Sequence, residues 1–306
     1  VIMTGVMINS MSAAGLMSDE KVGVEASFGV AMCPQDGGGF SDLVEHARSA
    51  MQQAKCIEGG RFVRYSEKLA FDVGGNSSLT AELRTAVRKN QFELHYQPRI
   101  DLASGHLVGL EALLRWNHPE RGLLLPADFM SACEDMGLMK AIGYQVIQHA
   151  CNAQIWLEEQ NMQHVDVAVN ISFSQIEDDP FVEIVKDIIV RSGANGSKIE
   201  FELTESTILQ SSVEIKSRMN ELRELGISFS LDDFGTGFSQ LNHLTELPIS
   251  ALKIDACFVR DLPHNENQEA VCCMIIEMGR RLGLVVVAEG AETHEQIQFL
   301  RDHHCH

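Results

Sequence analysis

A regular alternation of short apolar segments and amphipathic segments constrains the fold of this chain more than any other feature. The apolar segments are rich in β-branched residues, are bounded by turn residues, and fall at 165–172, 198–205, 226–233, 249–255 and 283–289. Each has the length of a strand, and the segments between them have the periodicity of helices. Strands joined by helical crossovers form parallel sheets. The sequence therefore predicts an α/β fold with a parallel sheet.

Two further strands are predicted ahead of this alternation, at 92–100 and 106–116. Only a short turn at 103–105 separates them, which indicates an antiparallel hairpin. With this hairpin the sequence predicts seven strands, followed by a helix that begins at Thr293. A doubly wound sheet is the alternative, but it would not need so many polar strand ends. We therefore predict a TIM-like (β/α)₈ barrel, which needs one strand more than the chain shows.

The missing eighth strand leads to an expectation about the edge of the sheet. An open barrel leaves strand edges unpaired, so we expect an unpaired edge at 283–289. The last residues, 303–306, are His-His-Cys-His. We interpret them as the loop that enters the eighth strand rather than as a metal-binding tract. The chain starts and stops within recognisable patterns, so we expect it to be a segment of a longer protein.

The N-terminal part is predicted to form a separate α/β half-domain. Its predicted elements are an N-terminal helix, a strand at 22–34, a helix after a glycine-rich turn, and a short strand at 61–65. This segment is too short to form a stable hydrophobic core by itself. A Gly-Gly-Asn-Ser stretch marks a linker. We therefore divide the chain into a half-domain at 1–68, a linker at 69–77 and a barrel at 78–306.

Composition limits the partners and the compartment. The chain carries 24 Lys and Arg residues against 43 Asp and Glu residues, a formal net charge of −19. Such a field repels polyanions, which argues against polymeric nucleic acid or an anionic membrane as a partner. The eight cysteines form no CxxC pair, which favours reduced thiols and a cytoplasmic location. No apolar run reaches membrane-spanning length, although a longer parent protein could carry an anchor.

Polar and charged residues stand at the ends of successive predicted strands. These are Asn170, Glu202, Glu205, Asp232, Asp233, Lys253, Asp255, Glu289 and Glu292, and Glu111 lies within the second strand. Any one of them has a simple alternative explanation as a helix N-cap or a solvated turn. In a TIM-type barrel, however, they would meet at one rim. Many like charges at one rim are costly unless divalent cations bind them, and hard cations prefer oxygen ligands. Bound cations would also let this acidic rim accept a small anion.

Three residues on this rim are informative in themselves. Adjacent strand residues face opposite sides of a sheet, so Asp232 and Asp233 reach one site together only at a strand end. A glycine-flanked loop at 234–239 follows them and brings backbone close to any ligand. Lys253 would point into the barrel mouth. Its simplest role is an ion pair with a neighbouring carboxylate, and its functional role would be proton exchange with a metal-bound water.

The motifs GLEALLRW, VNIS, FELTES, DDFGTGFSQL, LPISALKID and AEGAET, in this order within 78–306, resemble those of the EAL phosphodiesterases. The resemblance implies a barrel whose first strand is antiparallel, as the hairpin also indicates. It implies two Mg²⁺ or Mn²⁺ ions and hydrolysis of the bacterial second messenger cyclic di-GMP to linear pGpG. The metal ligands it implies are Glu111, Asn170, Glu202, Asp232, Asp233 and Glu289, with Glu111 also among the catalytic residues.

The same resemblance implies roles for residues around the metal site. Lys253 would position or deprotonate the attacking water, and Glu205 would brace the loop at 234–239. Gln97 and Arg115 would contact the substrate, with Arg115 on a phosphate oxygen. A supporting role or a contact with guanine falls to Asp255 and Glu292.

The N-terminal half-domain resembles a second family. The stretch ASFGVAMCPQDGGGFSDLVEHARSAMQQAK, followed by GGRFVRYSE, is similar to the C-terminal half of a GGDEF diguanylate cyclase domain. The signature loop that would bind GTP is not in this chain. Arg48 and Gln52 stand where the family has an acidic residue and a tyrosine. We therefore expect a packing or regulatory role rather than cyclase activity.

Three functions of different classes fit these observations. An active phosphodiesterase is favoured because every EAL motif present in the chain is intact. The second function is that of a receptor, an EAL domain that binds cyclic di-GMP without cutting it. An enolase-like barrel also uses strand-end carboxylates, divalent metal and lysine, but the adjacent Asp232 and Asp233 and the EALLRW strand count against it. A homodimer stays open.

Overall fold

The computed structural model describes residues 28–32, 36, 43–44, 47, 50–51, 62–64, 79, 81–204, 213–235 and 247–306. The chain divides into two compact units, Val1–Glu82 and Leu83–His306. None of the helices within the described ranges has both the length and the apolar character needed to cross a membrane.

In the N-terminal unit, two short strands pair in parallel: β1 (Phe28–Val30) and β2 (Phe62–Arg64). Residues 43–44, 47 and 50–51 between them are helical. A side chain at Gly29 would collide with the backbone carbonyl of Ala47, so the glycine allows close approach. These residues follow the predicted strand, helix and strand. The predicted linker at 69–77 lies outside the described residues, and the GGDEF-like identity of 1–68 stays a prediction.

From residue 81 onward, strands and helices alternate as expected. The strands are β3 (Phe92–Ile100), β4 (Leu107–His118), β5 (Gly122–Leu124), β6 (Asp166–Asn170), β7 (Ile199–Thr204), β8 (Ser228–Phe234), β9 (Ala251–Ile254) and β10 (Val285–Ala288). The helices are α1 (81–88), α2 (Pro126–Asp135), α3 (Met139–Glu159), α4 (Phe173–Ile176), α5 (Phe181–Ser192), α6 (Val213–Glu224), α7 (Ala256–Val259), α8 (Glu266–Leu282) and α9 (His294–Asp302).

The strands of this unit form one curled sheet in the order β10-β9-β8-β7-β6-β4-β3, with β5 added beside β4. Every pair from β4 through β10 along this path is parallel, while β3 runs antiparallel to β4. This confirms the predicted α/β architecture with an antiparallel first strand. Crossover helices impose the parallel order, because a parallel connection must return the chain to the same end of the sheet.

The prediction missed the β4–β5 turn. Strand β4 runs two residues past the predicted end and then folds back, pairing His118 with Gly122. The buried His118 closes this turn, since its Nδ1 accepts hydrogen bonds from the backbone N–H groups of Glu120 and Arg121. A histidine acting as a turn acceptor has no marked sequence signature, unlike glycine or asparagine.

The expectation of an unpaired edge at 283–289 is wrong at Val286. The backbone N–H of His306 donates to Val286 O at 3.1 Å, and the N–H of Leu102 donates to His306 O at 2.7 Å. His306 therefore lies between β10 and the residues after β3. Its ring Nδ1 also accepts from Val286 N–H, and His303 Nδ1 lies 2.8 Å from Phe299 O. The ring of His303 thus contacts its own helix end, whereas the ring of His306 contacts a strand 20 residues earlier in the chain.

Strand alternation separates two kinds of core. On β7, Phe201 faces one side of the sheet and is fully buried, with ring centroids 6.2 Å from Phe181 on α5 and 6.0 Å from Phe229 on β8. The flanking residues Glu200 and Glu202 face the other side and are also buried. The apolar side packs against helices, so the polar side is the barrel interior.

The apolar layer should carry much of the stability. Phe201→Ala is expected to lower the free energy of unfolding by about 3–5 kcal/mol, because it removes a buried ring and leaves a cavity. The matched control is Val190→Ala, because Val190 is 72% exposed. This change should alter the free energy of unfolding by no more than about 0.5 kcal/mol. Urea unfolding followed by circular dichroism measures both. Equal losses for the two variants would contradict this packing.

Candidate active site

Four carboxylates surround a buried ammonium at the end of the barrel strands. Among the described residues, Lys253 Nζ lies 2.6 Å from Glu289 Oε1, 2.8 Å from Glu202 Oε2, and 3.1 Å from both Glu111 Oε2 and Asp232 Oδ1. The Lys253 side chain is 1% exposed. Residues predicted from four separate motifs, together with Lys253 from a fifth, therefore meet at one point.

The sheet register explains this convergence. Parallel strands end at the same rim, and Asn170 on β6 stands beside Glu202 on β7. Thr204 stands beside Asp232 one strand further. Asn170 Nδ2 donates to Glu111 Oε1 at 3.2 Å, which adds the amide to the same rim. Each of these neighbouring strands thus supplies at least one polar group to the rim.

Asp232 and Asp233 reach the site through a local irregularity of β8. The β8–β9 register shifts between Leu231 and Phe234, as in a β-bulge. Asp233 has a φ of 54°, in the left-handed region that aspartate tolerates better than most residues. As a result, carboxylate oxygens of Asp232, Asp233 and Glu289 lie within 4.8 Å of one another. The bulge lets two adjacent carboxylates face the same site, which regular strand alternation does not allow.

The cluster holds more negative charge than Lys253 neutralises. Burial is the main cause that raises the pKa of Glu202, to about 8, and Glu111 and Asp232 add to it while Lys253 opposes it. Burial likewise raises the pKa of Glu289 and Asp233.

The pKa of Lys253 is raised as well, but for a different reason. Burial disfavours its charged form, but the surrounding carboxylates, led by Glu202, outweigh that cost and raise the Lys253 pKa. The side chain is therefore an ammonium in this arrangement.

The donor set fits a divalent cation. Hard cations such as Mg²⁺ and Mn²⁺ prefer carboxylate and amide oxygens, and these are the groups gathered here. Glu202 Oε1 is buried and has no hydrogen-bond partner among the described residues. A buried carboxylate oxygen without a partner is costly. A cation bound by Asp232, Asp233 and Glu289 would relieve the excess negative charge.

Three other predicted residues stand on, or directly beside or after, strands that carry this cluster. Gln97 is exposed and stands directly opposite Glu111 in the β3–β4 ladder. Arg115 lies four residues beyond Glu111 on β4, and its Nη1 donates to Leu114 O at 2.8 Å. Asp255 hydrogen-bonds Asp233 and accepts from Cys257 N–H at the start of α7. The first two flank the rim, and Asp255 joins the cluster.

Of the remaining two predicted residues, the structure describes only Glu292. Glu292 is exposed, and its backbone N–H donates to Gln296 Oε1 at 2.7 Å ahead of α9. Glu205 lies outside the described residues, as does the loop beyond Gly235 up to residue 246.

Sequence reasoning missed an ion pair deeper in the barrel, between Arg99 on β3 and Glu200 on β7. The available signal was the period-2 alternation of strands. It places Arg99 on the same face as Gln97, and Glu200 on the same face as Glu202. Attention to strand ends alone overlooked the layer beneath them.

Comparison with known proteins adds to this geometry. The family model described as "EAL domain" matches residues 80–306. The Pseudomonas aeruginosa cyclic di-GMP phosphodiesterase NbdA is 37% identical over 280 residues, covering 92% of this chain and 36% of that protein. The bifunctional diguanylate cyclase/cyclic di-GMP phosphodiesterase MucR, from the same organism, is 35% identical, covering 96% of this chain and 43% of its own length.

A solved structure agrees with the sequence relatives. The PaMucR phosphodiesterase in a c-di-GMP complex matches with a TM-score of 0.70 and 38% identity, covering 74% of this chain and 92% of that chain. The chain spans less than half the length of the two curated relatives, at 36% and 43%.

If the cluster binds a divalent cation, Mn²⁺ should stabilise the metal-free protein. At a concentration about 100 times Kd, binding adds about 2.7 kcal/mol, which corresponds to a Tm rise of several degrees. Asp232→Asn should lose this rise. Asp187→Asn, which alters a surface carboxylate paired with Arg191, should keep it. Thermal melts with and without Mn²⁺ decide, and an equal rise in both variants would contradict the site.

Proposed function

The chain belongs to the EAL domain family, and from this we propose that it hydrolyses cyclic di-GMP to linear pGpG with two bound Mg²⁺ or Mn²⁺ ions. The observation that carries the proposal is the cluster of carboxylates around Lys253 at the rim of the barrel. The names of the relatives support the same reaction. A formal net charge of −19 disfavours binding of an anionic substrate unless bound cations reverse the charge locally.

The proposed metal ligands share one rim and offer oxygen donors: Glu111, Asn170, Glu202, Asp232, Asp233 and Glu289. Bound divalent cations lower the pKa of a coordinated water and stabilise negative charge on a phosphate as its P–O bond breaks. Carboxylate oxygens of Asp232, Asp233 and Glu289 lie within 4.8 Å of one another. Glu111 and Asn170 are hydrogen-bonded to each other and hold the β4–β6 side of the site.

We assign Lys253 to the attacking water. Four carboxylates engage the three N–H donors of its ammonium, so it can donate a hydrogen bond to the water only once some of these carboxylates turn to bound cations. As an ammonium it positions the water rather than deprotonating it. Lys253 could deprotonate the water only if the carboxylates turned to bound cations, because this would remove the charges that raise the pKa of Lys253.

Residues around the cluster would hold the substrate. The guanidinium of Arg115 suits a phosphate oxygen, and Gln97 on the neighbouring strand suits a second contact. Asp255 supports Asp233 and, with Glu292, is a candidate for contact with guanine. Glu205 is proposed to brace the loop that follows Asp233.

The proposal extends to location and neighbouring domains. The six cysteines within the described ranges are free thiols, which suits a reducing compartment, so we propose a cytoplasmic location. Residues 1–68 are proposed to be part of a GGDEF-like domain with a packing or regulatory role. A homodimer is compatible with these assignments.

The direct test incubates the protein with cyclic di-GMP and Mn²⁺ and separates the products by chromatography. We expect pGpG from the wild type and a loss of at least about 100-fold in Glu202→Gln, which keeps the shape but removes a ligand charge. Glu277→Gln, on the surface of α8, is the control. Binding of cyclic di-GMP without any cleavage at saturating Mn²⁺ would make the protein a receptor instead.

Lys253→Met should separate chemistry from binding. If Lys253 acts on the water, kcat should fall by about 100-fold or more while KM changes little. Lys140→Met, which alters an exposed lysine paired with Asp178, should change neither constant. Steady-state kinetics on both variants give the answer. An unchanged kcat with a raised KM would reduce Lys253 to a phosphate contact.

A further inference from the structure

A buried arginine lies inside the barrel, below the carboxylate cluster. Arg99 Nη1 donates to Glu200 Oε1 at 2.7 Å, and Nη2 donates to Glu200 Oε2 at 3.3 Å. The two side chains are 13% and 9% exposed. Burying an ion pair costs desolvation free energy, and apolar residues of similar volume often serve stability as well. Stability alone is therefore a weak explanation for this pair.

The guanidinium also faces a proposed metal ligand. Arg99 Nη1 lies 3.8 Å from Glu202 Oε1, the oxygen that has no hydrogen-bond partner among the described residues. The other oxygen of Glu202, Oε2, accepts from Lys253 at 2.8 Å. Glu202 thus lies between two cations, with Lys253 at the rim and Arg99 on the inner side.

The neighbouring strand makes room for Arg99. Gly109 stands directly opposite Arg99 in the β3–β4 ladder. A Cβ at Gly109 would lie 2.6 Å from Arg99 Nε and 2.7 Å from Nη2, closer than real Cβ contacts allow. The backbone of β4 therefore forms a wall against the guanidinium, two residues before Glu111. Arg99 is confined on one side by β4 and bound on the other by Glu200.

We propose that Arg99, paired with Glu200, is a positioning residue that fixes Glu202 for metal binding. Because Glu200 cancels the charge of Arg99, the pair places a guanidinium 3.8 Å from Glu202 Oε1 without a net charge that would repel a cation. This inference rests on the proposed function only for its effect on turnover. Its effect on cation binding can be measured without substrate.

The first test compares Arg99→Met with the double variant Arg99→Met/Glu200→Gln in the full chain. The single variant leaves Glu200 buried and unpaired, so Tm and Mn²⁺ affinity should both fall. The double variant removes both charges and should recover Tm. Its Mn²⁺ affinity, measured by titration calorimetry and by EPR of free Mn²⁺, should stay about 10–100-fold below wild type.

Two further variants complete this comparison. Arg99→Lys keeps the charge but not the two-pronged geometry, so it should recover Mn²⁺ affinity only in part. Arg191→Met, which removes a surface arginine 77% exposed, should match the wild type. A double variant with wild-type Mn²⁺ affinity and wild-type kcat would show that Arg99 serves only as a counter-ion for Glu200, and the proposal would be wrong.

Gly109→Ala provides an independent perturbation, since it displaces the guanidinium without changing any charge. It should weaken Mn²⁺ binding in the wild-type background. In an Arg99→Ala background, the atoms that the new Cβ would meet are gone, so Gly109→Ala should have little further effect. Strictly additive losses would overturn the inference, because they would mean that Gly109→Ala acts elsewhere.

The outcomes separate this inference from the proposed function. A wild-type protein that binds Mn²⁺ but leaves cyclic di-GMP intact would refute hydrolysis, while the variants would still test Arg99. A wild type that hydrolyses cyclic di-GMP, with a double variant that equals it in both Mn²⁺ affinity and kcat, would refute the role of Arg99 alone. A wild type that binds no Mn²⁺ would refute both.

Discussion

The buried ammonium of Lys253 and the four carboxylates within 3.1 Å of it are the interaction on which the rest of the site depends. Side chains of one charge do not gather in a protein interior without a compensating cation. The parallel strands place these groups at one rim, and Lys253 holds them there. The negative charge left over makes the rim a candidate for divalent cations rather than a simple ion pair.

The barrel keeps its apolar and charged layers apart by strand alternation alone. On β7, one face carries Phe201, which packs between the rings of Phe181 and Phe229. The other face carries Glu200 and Glu202. The apolar face stabilises the fold through burial, and the inner face is free to hold charge. This division explains how an interior with so many ionisable groups is compatible with a folded sheet.

Two local departures from regular strand geometry shape the inner face. The bulge at Asp232 and Asp233, with Asp233 in the left-handed region, turns two adjacent carboxylates toward one site. The absence of a side chain at Gly109 admits the Arg99 guanidinium beside β4. The bulge adds a second carboxylate to the rim, and the glycine leaves space for the guanidinium of Arg99 below the rim. Both act on the position of charged groups rather than on the fold.

The sequence by itself determined the strand and helix order, the hairpin and most of the rim, because these follow from local periodicity and from strand ends that a parallel sheet brings together. It did not determine the ion pair between Arg99 and Glu200, 101 residues apart, or the contacts of His306 with Val286 and Leu102. The sequence indicated that Asp232 and Asp233 share one site, but it did not indicate the bulge that brings them there. Only the tertiary structure decided these features, since each depends on how separate segments of the chain pack against one another.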